Sequence, residues 1–75
     1  MKMERYGNRD GNSGVEAFAI EKNAVVVKFR TSDALYRYSH ASAGKGRVET
    51  MKRLAREGRG LSTFISQYVH DLYER

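Results

Sequence analysis

Between residues 14 and 38 the chain runs through three short stretches in which side chains can be sorted by alternation. Alternate positions on an extended chain fall on opposite faces, so period-two patterning predicts half-buried strands. The first stretch is Gly14 to Ile20, which places Phe18 and Ile20 on one face. Glu21-Lys22-Asn23 reads as a tight turn, with Asn as a residue that tolerates positive φ. The second stretch, Ala24 to Arg30, is rich in β-branched residues and puts Val25, Val27 and Phe29 together. Thr31-Ser32-Asp33 is a polar turn, and the third stretch, Ala34 to Tyr38, pairs Tyr36 with Tyr38. These apolar faces are expected to form the core side of the sheet. The other face then carries Val26, Lys28, Arg30, Leu35 and Arg37, open to solvent or a partner.

Beyond a small-residue loop, Ser39 to Gly44, the period changes. Val48, Met51, Leu54 and Ala55 recur at helical spacing, which predicts a helix over about Gly46 to Glu57. Glu49, Lys52, Arg53 and Arg56 fall on its opposite, solvated side, where Glu49 can pair with Lys52 and Arg53. Gly58 suits the left-handed residue that ends a helix. A second helix is expected from a Ser62 cap to about Tyr73, with Leu61, Phe64, Ile65, Tyr68, Val69 and Leu72 on its apolar side. The predicted fold is α+β: a three-stranded antiparallel meander followed by a helical hairpin packed on one sheet face (βββαα). Residues 1–12, with two glycines, two asparagines and no apolar period, read as a disordered N-terminal tail, and 13–75 as a single domain.

At 75 residues there is room for one core, and the burial available makes stability modest. No cysteine is present, which removes disulfides and thiolate sites and agrees with a cytoplasmic location. No apolar stretch approaches the roughly 20 residues that span a bilayer, so no membrane partner is expected. Charge changes the picture more. Of a net +5, residues 45–59 supply most: Lys45, Arg47, Lys52, Arg53, Arg56 and Arg59 stand against Glu49 and Glu57. A local excess makes a field that attracts phosphate, whereas a dispersed one mainly aids solubility. Those six residues, with Arg37 on the open sheet face, are the candidate nucleic-acid contacts.

Catalytic chemistry finds little support. His40 and His70 are the sole histidines, and neither has a second metal ligand four residues on, so no metal or other cofactor is expected. Ser39-His40 is a dipeptide without a triad. Gly44-Lys45-Gly46 offers free N–H groups at a helix start but lacks the spacing and the Ser/Thr of a P-loop. A helix-turn-helix reader is disfavoured, because Arg59 sits where the turn glycine belongs and strands precede the helices. Tyr36 and Tyr38 are read as core residues in preference to base-stacking rings.

The ordered set Ser13…Val15, Phe29, Tyr36-Arg37-Tyr38, Met51-Lys52-Arg53-Leu54 and Gly58-Arg59-Gly60-Leu61 with Phe64-Ile65 resembles the KTSC domain over about residues 13 to 73. That family is named for a copy at the C-terminus of some lysyl-tRNA synthetases and also occurs as short stand-alone bacterial proteins. The resemblance implies the fold type, the signature Tyr-Arg-Tyr and, through the synthetase context, RNA as a partner. The resulting expectation is a small non-enzymatic binding module for RNA or another nucleic acid. The alternative is a protein-interaction or accessory domain that uses the open sheet face.

Overall fold

In the computed structural model, which describes residues 2–9, 11 and 13–74, the segment expected as a tail contributes a strand. β1 (Glu4–Arg5) pairs antiparallel with β2 (Val15–Glu21), Glu4 opposite Phe18 and Arg5 opposite Ala17. β3 (Ala24–Phe29) and β4 (Leu35–Ser39) complete a four-stranded antiparallel sheet in sequence order. The α+β class expected from the sequence is therefore present, with one strand more than expected. Tyr6 explains the difference. It is 3% exposed and packs in the main core, and its N–H donates to Glu16 O at 3.0 Å. One large buried ring offsets ordering entropy that the polar residues around it cannot. Asp10 and Asn12, also assigned to the tail, lie outside the described residues.

The strand faces follow the expected register. Val25 stands between Ile20 and Tyr38, and Val27 between Phe18 and Tyr36. All six belong to the core or pack against it, as does Phe29. A bulge in β2 falls between Val15 and Ala17, so Val15 opposes Phe29 while Ala17 opposes Lys28. The extra residue breaks strict alternation and turns Val15 into the core, a position that period-two reasoning cannot assign. The turn after β2 is the two-residue Lys22-Asn23, but Asn23 does not take a positive φ; among the described non-glycine residues Asn8 does, at 52°. Asn23 instead offers its carbonyl to the His40 N–H at 2.8 Å.

Residues 40–43, expected as loop, form a single helical turn, α1 (His40–Ala43). Its cause is a reciprocal cap: Ser42 N–H donates to Ser39 Oγ and Ser39 N–H to Ser42 Oγ, both at 3.0 Å. α2 (Lys45–Glu57) buries Val48, Met51 and Ala55, and ends as expected at Gly58 with φ 74°. The Gly58 N–H donates to Leu54 O at 2.9 Å. α3 (Leu61–Phe64) begins after Gly60, with no side-chain cap from Ser62, and runs on into a π-helical turn, Ile65–Val69. Leu61, Ile65 and Val69 are buried, whereas Tyr68, expected on the apolar side, is 56% exposed. Helical structure stops at Val69 rather than Tyr73. The chain then returns to β4, where the Glu74 N–H donates to Arg37 O at 2.7 Å. That bond covers part of an otherwise open sheet edge.

Candidate nucleic-acid interface

The exposed face of α2 separates into cations that are neutralised and cations that are not. Lys52, expected on the solvated face, is 5% exposed. Its Nζ donates to Lys22 O at 3.0 Å and pairs with Glu49 at 2.9 Å. The long lysine stem follows the apolar flank of the helix and delivers the ammonium to the β2–β3 turn, so it belongs to the fold and not to an external contact surface. Glu49 also meets His40 Nε2 at 2.9 Å. The His40 and Lys52 hydrogen bonds hold its carboxyl below the ordinary range. The expected Glu49–Lys52 pair is thus present, and Arg53 pairs instead with Glu57 at 3.4 Å.

Arg37 is likewise committed. It lies on the sheet face opposite the core, where it meets Glu74 at 2.6 Å and Glu21 at 2.8 Å. Its hydrogen bonds to Glu74 and then Glu21 raise its pKa further. Ser39 and then Arg37 lower that of Glu74. The same face holds a Lys28–Glu16 pair at 3.1 Å. Val26, expected to be open there, is 2% exposed, between Ala19 and Arg37 in register. Its burial leaves Leu35, at 49% exposure, as the large apolar residue open on that face. The apolar anchor expected for a protein partner is therefore reduced to one side chain.

Four expected contacts remain available. Lys45 is exposed at the start of α2, and Arg47 beside it donates to Ala43 O at 3.4 Å. Arg56 and Arg59 are exposed at the other end of the helix and have no ion-pair partner among the described residues. The fold adds one cation that sequence reasoning missed. The Arg9 N–H donates to Gly58 O at 2.7 Å, which fixes Arg9 beside Arg59 at the C-terminal end of α2. Gly7 and Gly58 make this crossing possible: a Cβ on Gly58 would stand 3.1 Å from Gly7 Cα. Arg9 is exposed and also lacks an ion-pair partner among the described residues. The one sequence signal that could have placed it was Tyr6, an aromatic residue directly before the polar run Gly7 to Asn12.

A second feature lies between the outer end of β3–β4 and the C-terminal helical segment. It is a groove of about 370 Å³. Phe29, Tyr36, Tyr38 and Tyr73 line it with aromatic rings, and Ser62 and Ser66 with hydroxyls. Tyr36 meets Phe29 edge-on at 5.6 Å and Tyr73 edge-on at 4.9 Å. Tyr38 is buried, and burial pushes its phenol up to about 12. Tyr36 and Tyr38 therefore serve the core and the groove wall together.

Among the described residues, no cluster of three His, Asp or Glu side chains is placed to hold a metal ion. Among the described residues, no helix is long and apolar enough to cross a membrane. Comparison with protein-family models, with curated proteins and with solved structures finds no match to this chain.

Proposed function

We propose that this chain is a small nucleic-acid-binding module whose phosphate contacts centre on Arg9, Arg56 and Arg59. The carrying observation is that these three arginines stand on adjoining backbone at the C-terminal end of α2, exposed and without an ion-pair partner among the described residues. Two of the other expected contacts are engaged internally, Lys52 with Glu49 and Lys22 and Arg37 with Glu21 and Glu74. Cations at a helix C-terminus also favour the helix dipole, so the cluster costs the fold little. Guanidinium groups suit bidentate phosphate contact. Lys45 and Arg47 form a secondary basic patch at the opposite end of the same helix. RNA is the favoured partner class within this reading, and the resemblance to the KTSC domain is part of it. Tyr36-Arg37-Tyr38 in β4, directly before the helical segment, is what supports that resemblance.

The test is binding of the parent and of an Arg9→Gln/Arg56→Gln/Arg59→Gln variant to single-stranded RNA and to duplex DNA at two salt concentrations. All three side chains are exposed, so the variant is expected to melt near the parent. Removing one phosphate-binding cation lowers the slope of log affinity against log salt by roughly 0.7 to 0.9. The reading fails if the parent shows no affinity stronger than ~100 μM at physiological salt, the weak end of non-specific binding. Unchanged binding by the triple variant would instead move the site to Lys45 and Arg47.

A further inference from the structure

We infer that the aromatic groove takes one unstacked base of a single-stranded nucleic acid, an inference that rests on the function proposed above. The groove volume of about 370 Å³ lies within the range of small-ligand sites and cannot admit a duplex. Among the described residues its walls carry no carboxylate, lysine or arginine; the titratable groups of those residues that face it are the tyrosine phenols and His70. A neutral lining of rings and hydroxyls suits a flat heterocycle, whose edges need donors and acceptors and whose faces need aromatic contact. Tyr36 and Tyr73 supply the rings, and Ser62, Ser66 and Thr31 supply hydroxyls that can both donate and accept.

The closeness of the Ser62 end to the proposed phosphate site favours a base over an uncharged ring such as a sugar. Ser62 follows Arg59 by three residues. Its hydroxyl also lies about 4.0 Å from where a Gly14 Cβ would stand, and Gly14 O accepts the Arg30 N–H at 2.8 Å. Arg59 is exposed, whereas Arg30 donates its Nε–H to Ser13 O at 3.2 Å and lines a separate pocket with Tyr6 and Glu16. A neutral slot that begins three residues after Arg59 of the proposed phosphate site matches a base inside and its phosphates outside. The π-helical turn carries Ile65 and Ser66 into the slot, and such turns recur at binding sites.

The experiment compares three probes of equal length with the intact chain: a single-stranded RNA, the same backbone without bases, and an RNA duplex. The variants are Ser66→Leu, which fills the groove from an exposed position, and the arginine triple variant. The parent is expected to favour the base-bearing strand over the abasic one by about tenfold, the effect of one stacked base. Ser66→Leu should lose that preference and keep the salt-dependent remainder, whereas the arginine variant should weaken all three probes. Amide shifts of Tyr36, Ser66 and Tyr73 in the labelled parent give a readout independent of any variant, and they should move with the base-bearing strand but not with the abasic one. Equal affinity for abasic and base-bearing strands overturns the groove while leaving the arginine site standing. A base preference with no shift at those three amides overturns it too. No binding of any probe removes the proposed function and this inference together.

Discussion

Tyr6 offers the sharpest test of how this fold is held. The ring is 3% exposed within the main core, and its hydroxyl accepts the Leu61 N–H at 3.3 Å across 55 residues of sequence. Leu61 opens α3, and the first N–H groups of a helix have no partner inside it. Ser62 does not cap this helix, so the Tyr6 hydroxyl takes that part for Leu61. Tyr6→Phe keeps the ring and removes the acceptor, leaving a buried donor unpaired; the cost is about 1 kcal/mol, the low end of the usual range because the bond is long. Tyr6→Ala removes the ring as well, at about 3–5 kcal/mol. A domain of this size holds roughly 4–11 kcal/mol in total. Each kilocalorie moves the midpoint by about 4–8 °C, so the two variants separate clearly in a melt followed by circular dichroism. A chain beginning at Ser13 should fall at least as far as Tyr6→Ala. If the shortened chain and Tyr6→Ala both melt within about 0.5 kcal/mol of the parent, the N-terminal segment contributes nothing and its place in the sheet is wrong.

Lys52→Gln should lower the urea midpoint by the equivalent of about 1–3 kcal/mol, since it frees a buried partner of Lys22 O and Glu49, while exposed Arg53→Gln stays within about 0.5. Equal midpoints for the two would show that Lys52 is solvated after all. Gly58→Ala combines a positive φ of 74° with a Cβ 3.1 Å from Gly7 Cα, so a loss of at least about 1–2 kcal/mol is expected. Gly46→Ala, which meets nothing within 4 Å inside α2, should gain up to about 1 kcal/mol in the same denaturation assay. The Tyr38 phenol is raised from 10.0 to about 12, so its contribution is complete below pH 10 and lost as pH rises towards 12, where the unfolded chain ionises first. Urea melts at pH 9 and pH 11.5 should show the parent losing up to about 2 kcal/mol more than Tyr38→Phe, and equal losses would contradict a buried phenol.

Local patterning in the sequence determined the strands around Val25 and Val27, the face shared by Phe18, Ile20, Tyr36 and Tyr38, the span of α2 and its stop at Gly58. These features repeat at a period of two or of 3.6, or depend on the φ of one residue, so neighbours along the chain suffice to specify them. Other features depend on residues far apart. Tyr6 becomes core because α3 and β2 lie beside it, and Val15 because a bulge reverses its side. Helical spacing places Lys52 outside, yet its ammonium finds Lys22 O 30 residues away, at the flank of an apolar face where a long stem can stay buried. Alternation leaves Arg37 open, because its ion-pair partners, Glu21 and Glu74, are separated from it by 16 and 37 positions. The candidate site divides in the same way. The local excess of charge on residues 45–59 is a property of the sequence, but which cations stay unpaired, and the arrival of Arg9 beside Arg59, follow from where the chain crosses Gly58. Ion pairs and close backbone approaches depend on distance in space, and that distance is set only once the sheet and helices have packed.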